Sequence, residues 1–204
     1  MEVPLVLTEA VALDFETTGT TQEENNAPWQ IGVVTLSRGK VDLTRSFSSL
    51  LRVPRERVFN PYAPGRWARL RAEMASAPTL QELWPTLRPL LQGRPLVAHN
   101  APTERGILAQ EFPWQSFGPW VDTLPLARVA YPGHRDFKLE NLIPALGMEA
   151  MLRTRCPDRE PHDAFYDAVA CATLLESLLA APGWNRLTAS QLASLRPRRR
   201  ANRP

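Results

Sequence analysis

The apolar positions of this chain come first in three runs with strand character and then in stretches with the period of a helix. Residues 9–15 predict a first strand that runs into a tight turn ending at Gly19. Residues 29–36 are strongly apolar and predict a second strand, and residues 41–51, with Val41, Leu43 and Phe47, a third. The short hairpin-type link at residues 37–40 favours antiparallel pairing among the three. The polar stretch 20–28 and the proline-bearing stretch 54–65 read as loops.

Beyond these, helices alternate with two short strands. Residues 67–76 predict a helix with Leu70 and Met74 on one face. Thr79 is placed to cap a second helix over residues 80–91, whose leucine stripe is interrupted by Pro85 and Pro89. Residues 95–100 read as a buried strand ending in polar residues, followed by a helix over 102–111 with Pro102 in its first turn. Residues 120–123 predict a further short strand that leads into a helix reaching Ala130. Helices are also predicted over 138–146, stopped by Gly147, over 163–179, and over a short closing stretch at 187–195. The pattern predicts an α/β fold: a mixed five-stranded sheet, three N-terminal strands antiparallel and two further strands parallel, flanked by helices. No repeat or linker divides it. Residues 1–187 are expected to form one domain, and residues 188–204 a short helix with a disordered, arginine-rich tail.

Composition narrows the class without changing it. The 204 residues, 44% hydrophobic and 22% charged, suit one soluble globular domain with a substantial core. No run approaches the roughly 18 apolar residues of a membrane span, so no membrane partner is expected. Cys156 and Cys171 form neither a metal-spacing motif nor a disulfide framework, which makes the cytoplasm the default compartment and both thiols packing residues. The net charge of +3 is concentrated: five arginines follow Leu195, and without them 19 basic residues face 21 acidic ones. That tail reads either as an element that touches phosphates or as a plain solvated terminus.

Three stretches carry candidate chemistry. In the first strand, Asp14 and Glu16 are two apart and share a face, while Phe15 points the other way. Two carboxylates beside an apolar sheet repel, and a hard divalent cation bound through oxygen resolves the conflict. At the end of the buried strand, His99 and Asn100 stand where α/β proteins place ligands, and Glu104 follows on the first turn of a helix. An acid at that position serves equally to complement the helix dipole. Before the long last helix, His162 and Asp167 are five apart, about 140° around a helix axis, and share a site more easily if His162 lies on the preceding loop. Taken alone, that stretch reads as well with Asp163 as a cap and His162 as an exposed loop residue.

The ordered set is more specific than any member. Asp14-Phe15-Glu16-Thr17-Thr18-Gly19, Ala98-His99-Asn100-Ala101-Pro102-Thr103-Glu104 and His162-Asp163-Ala164-Phe165-Tyr166-Asp167 resemble the three exonuclease motifs of the DEDDh family. This is the proofreading-exonuclease superfamily, DnaQ-like, that includes the polymerase III epsilon subunit. Gln30-Ile31-Gly32-Val33-Val34, Val121-Asp122-Thr123-Leu124 and Phe137-Lys138-Leu139-Glu140-Asn141-Leu142 resemble its connecting segments, and the likeness spans residues 9–180. One position departs: the second motif of the family ends in Phe-Asp, and here those places hold Thr103 and Glu104.

The resemblance implies an RNase H-like fold and a 3′–5′ exonuclease, hydrolysing phosphodiester bonds to release 5′-nucleoside monophosphates. It implies two Mg²⁺ or Mn²⁺ ions held by Asp14, Glu16, Glu104 and Asp167, with His162 as general base. Thr17, Thr18 and Gly19 would hold the terminal nucleotide, and His99 and Asn100 would line the same substrate crevice. Single-stranded DNA ends are the expected substrate. RNA 3′-end trimming is the alternative, as is an end-binding module whose Glu104 site no longer turns over. A polymerase or another nucleic-acid-processing complex is the kind of protein partner the resemblance allows.

Overall fold

A computed structural model describes residues 2–22 and 25–197. Its single sheet has the order β3-β2-β1-β4-β5. Strands β1 (Glu9–Thr17), β2 (Pro28–Ser37) and β3 (Lys40–Leu50) pair antiparallel, and β4 (Leu96–Ala98) and β5 (Trp120–Asp122) continue parallel to β1. This is the mixed RNase H-like sheet expected from the sequence. Strand β1 runs two residues beyond Phe15, because Glu16 still pairs with Gln30 before the register shifts at Thr17.

The central strand is buried on both faces, and its alternation sorts the molecule into two cores. Val11, Leu13 and Phe15 pack with Leu87, Leu91 and Leu108. Ala10 and Ala12 pack on the other side beneath α7 (Ala164–Ala180). Asp14 and Glu16 have the parity of Ala10 and Ala12, so they emerge on the α7 side at the C-terminal end of the strand.

Gly32 sets how closely α7 approaches. A Cβ at this position would lie 2.2 Å from the Ala164 carbonyl oxygen, a contact no side chain tolerates. The start of α7 therefore rests directly on the β2 backbone, at the residue that pairs with Asp14. Gln30 fastens the same junction: its Nε2 donates to Asp163 Oδ2 at 2.9 Å, and its Oε1 accepts from Ala164 N at 3.2 Å.

The remaining helices are α1 (Trp67–Met74), α2 (Trp84–Leu91), α3 (Pro102–Glu111), α4 (Thr123–Ala130), α5 (Leu139–Ala145), α6 (Glu149–Arg155) and α8 (Ala189–Ser194). The second helix starts four residues later than its leucine stripe predicts. Pro85 cannot donate an intrahelical bond and fits best in a first turn, which is where a helix beginning at Trp84 places it. Thr79 and Glu82 instead close the preceding turn, each side chain accepting from the other's backbone N–H at 3.1 and 2.8 Å. Helix α6 has no sequence forecast; only Leu152 of its seven residues is buried, too little to show a period. Gly147 ends α5 with φ +69°, the left-handed stop expected there. Cys156 and Cys171 are buried free thiols.

Helix α8 packs Ala189 and Leu192 into the larger core, and Thr188 bridges to Pro4. Of the tail's five arginines only Arg196 is described, and the expected disordered tail falls on residues 198–204, outside the described residues. Among the described residues no helix is long and apolar enough to cross a membrane.

Candidate active site

The carboxylates meet at the C-terminal end of β1. Asp14 and Glu16 come from that strand, Asp167 from the first turn of α7, and His162 from the loop before it. Glu16, His162 and Asp167 each offer a ligand atom, all within 4.8 Å of one another. Asp163 is indeed the helix cap: its Oδ1 accepts from Phe165 N at 3.1 Å and Tyr166 N at 3.2 Å. His162 nevertheless belongs to the pocket. Its backbone is left-handed at φ +65°, its N–H donates to Asp167 Oδ2 at 2.9 Å, and its Nε2 lies 2.6 Å from Glu140 Oε2. Asp163 is the cap and His162, on the loop before it, is a half-buried pocket residue, so cap and pocket use neighbouring residues.

Glu104 reaches the cluster from the first turn of α3. It is only 3% exposed, and its Oε2 has no hydrogen-bond partner among the described residues. The turn that delivers it is clamped by Asp122, which accepts from Asn100 N at 2.9 Å, Ala101 N at 3.2 Å and Leu124 N at 3.0 Å. Sequence reasoning noted Asp122 only as part of a supporting stretch. Its signal was an acid at a strand end followed by Thr, the pattern of a helix cap.

The electrostatics of this cluster are those of acids without a counter-ion. Burial, then repulsion from Asp167, Glu104 and Glu16, pushes Asp14 well above the ordinary carboxylate range. Burial followed by Asp167 and Asp163 raises Glu16 to about 8. Asp167 and Glu104 are raised by burial too, opposed in part by the His162 N–H for the first and by the amides of Glu104 and Phe15 for the second. No Lys or Arg forms an ion pair with these four acids among the described residues. A buried carboxylate oxygen with no partner, inside a set of four carboxylates, is the donor environment a hard divalent cation fills.

A cavity of about 680 Å³ opens over the cluster. Asp14, Asp167 and His162 line it, as do His99 and Asn100. His99 has both ring nitrogens engaged, Nδ1 at 2.9 Å from Thr123 Oγ1 and Nε2 at 2.7 Å from the Phe137 carbonyl oxygen. Burial lowers its pKa. A carbonyl only accepts, so Nε2 carries the proton.

Thr17, Thr18 and Gly19, expected to hold the terminal nucleotide, are not among the residues that line this cavity. Thr18 is fully buried: its hydroxyl accepts from Ala27 N at 3.1 Å, its N–H donates to the Ala27 carbonyl at 2.8 Å, and its carbonyl accepts from Asn60 N at 2.9 Å. These bonds tie loops together and leave Thr18 nothing to offer the cavity. Thr17 accepts from Trp29 Nε1 through its carbonyl at 3.2 Å. Gly19 adopts φ +70°, and a Cβ there would sit 2.7 Å from Asn60 Cβ, so only glycine permits this approach.

Comparison with known proteins agrees with this geometry. The sequence model of the exonuclease family of RNase T type matches residues 11–175. The chain is 30% identical over 174 residues to the PolC-type DNA polymerase III of Clostridium perfringens (strain 13 / Type A). That match takes in 82% of this chain but only 11% of the polymerase. Among solved structures, Exonuclease X in complex with 5′ overhanging duplex DNA superposes with a TM-score of 0.65 at 25% identity, covering 90% of this chain and 97% of that one. The nuclease domain of 3′hExo, described as a DEDDh family member bound to rAMP, superposes at 0.64 with 15% identity, over 91% and 98% of the two chains. This chain belongs to the DnaQ-like, DEDDh family of exonucleases.

Proposed function

We propose that the protein removes nucleotides one at a time from the 3′ end of single-stranded DNA, by hydrolysis that depends on divalent metal. The observation that carries this reading is the convergence of Asp14, Glu16, Glu104 and Asp167 with no Lys or Arg paired to them and one buried oxygen of Glu104 without a hydrogen-bond partner among the described residues. These four residues would hold two Mg²⁺ or Mn²⁺ ions, which supply charge neutralisation for the attacking and leaving oxygens of the phosphodiester. His162, beside Asp167 and open to the cavity, receives the proton of the attacking water. Glu104 takes the place of the family's aspartate. Its position on the first turn of α3, with the carboxyl close to the Phe15 amide, supports retained activity rather than a silent binding module. The choice of DNA rests on the PolC-type relative and on the DNA bound to Exonuclease X.

The test is digestion of 5′-labelled single-stranded DNA, RNA and blunt duplex, with Mg²⁺ and then Mn²⁺. The expected result is a ladder shortening from the 3′ end of the DNA strand, with 5′-deoxynucleoside monophosphates as product. Internal cuts, or no digestion with either metal, would remove the assignment. Faster digestion of RNA would transfer it to RNA trimming.

A further inference from the structure

The cavity over the carboxylates carries cations as well as acids. Besides Asp14 and Asp167 it is lined by Arg128, Arg135 and Lys138, with Asp136 and Glu140 on the same stretch of chain. The three cations come from the last turn of α4, the connection that follows, and the residue that caps α5. That connection is held in shape. His99 donates to the Phe137 carbonyl at 2.7 Å, Asp136 accepts from Lys138 N at 3.0 Å and from Asn141 Nδ2 at 2.7 Å, and the Arg128 guanidinium lies 5.7 Å from the centre of the Phe137 ring.

Among the described residues, Arg128 and Arg135 form no salt bridge. Lys138 has one contact, to Glu140 at 3.8 Å, with its side chain 73% exposed. Asp136 and Glu140 lie beside Lys138, so Arg128 and Arg135 are the cations of this braced turn that form no salt bridge among the described residues, in a chain whose body is slightly acidic. The cavity's rim also carries Tyr62, an aromatic ring 92% exposed. Three residues further on, Gly65 packs close to the His162 carbonyl and the Glu16 carboxylate; a Cβ there would lie 3.1 and 3.6 Å from them.

We propose that Arg128, Arg135 and Lys138 form a phosphate wall for the internucleotide phosphates on the 5′ side of the scissile bond, and that Tyr62 stacks an unpaired base. The proposal rests on the exonuclease reading of the carboxylate pocket and names the form of substrate it takes. A single strand meets both demands, because its backbone is anionic and its bases are free to leave one another for a protein ring. A blunt duplex offers the phosphates and withholds the base. His99 acts here as a positioning residue: it holds the wall through Phe137 instead of touching the nucleotide.

Two substrates separate this wall from the reaction centre. Thymidine 5′-p-nitrophenyl phosphate carries a single phosphate, whereas a single-stranded oligonucleotide extends past the scissile bond. For Arg128→Ala/Arg135→Ala, the oligonucleotide is expected to lose about tenfold more kcat/KM than the ester, mainly through KM. The slope of log affinity against log salt should flatten by about 1.4, roughly 0.7 for each lost phosphate contact. Tyr62→Ala should raise KM for the oligonucleotide and reduce the preference for single strand over duplex, and Tyr62→Trp should restore both. Equal losses on the two substrates, or an unaltered salt slope, would overturn the wall; an unaltered KM in Tyr62→Ala would overturn the stacking. Should the unaltered protein cleave neither substrate, the exonuclease reading fails by itself. Fluorescence anisotropy of a labelled oligonucleotide with the unaltered and doubly substituted proteins then still decides the wall.

Discussion

Replacing Gly32 with alanine sets a methyl group against the start of α7. The added carbon would lie 2.2 Å from the Ala164 oxygen and 2.3 Å from the Phe165 nitrogen, both main-chain atoms. Ordinary contact begins at 3.4 Å, so the helix must withdraw from β2 by the difference. Asp167 lies in the first turn of α7 and His162 N–H is bonded to it, so both move with the helix, against the hold of Gln30 on Ala164. Displacement on the 1 Å scale costs about 10²-fold in rate when it disturbs reacting geometry. Overpacking of this kind destabilises by roughly 1–3 kcal/mol, a fall in Tm of a few to about ten degrees for a domain of this size. Steady-state kinetics on a single-stranded oligonucleotide, with thermal unfolding followed by circular dichroism, would measure both. The expected outcome is a folded enzyme with kcat lowered about a hundredfold. Gly106→Ala is the control: nothing lies within 4 Å of its added carbon, and alanine in a helix is favoured by about 1 kcal/mol. A Gly32→Ala enzyme with normal kcat would refute the claim that this contact sets the site.

Other substitutions probe the pocket's chemistry. His162→Ala should lower kcat by about 10² to 10⁴ and leave the fold intact, as removal of a general base does; full activity would exclude that role. Glu16 titrates at about 8 in the fold against 4.5 in the open chain, so the metal-free protein should lose stability as pH rises between those values, by at most about 5 kcal/mol from this group. Mg²⁺ should accordingly raise Tm more at pH 8 than at pH 5.5, and Glu16→Gln should raise the metal-free Tm at pH 8 while weakening the metal effect; a pH-independent Mg²⁺ effect would contradict the site. Asp122→Ala frees two backbone N–H groups in the turn that delivers Glu104, those of Asn100 and Ala101, and the Leu124 N–H at the start of α4. It should cost about 1–3 kcal/mol in denaturant unfolding and lower kcat, and an unchanged unfolding midpoint would show the clamp to be idle.

Much of this protein is local and therefore legible in its residues. The two-residue period of β1 places Asp14 and Glu16 on one face, glycine ends α5, and Asp163 caps α7, each through interactions within a few positions of chain. The order of the three motifs carried the sheet and the family. What depended on distant contacts was hidden. Gly32 looks like any glycine in an apolar strand until α7 lies across it, and Thr18 looks available until residues 27 and 60 close over it. His99 stands in a ligand-binding motif, yet its ring nitrogens are taken by Thr123 and by the Phe137 carbonyl, 38 residues along the chain. Periodicity and capping are decided by neighbours in sequence. Which polar groups remain free for a substrate is decided by what packs against them, and that is settled only when the chain has closed on itself.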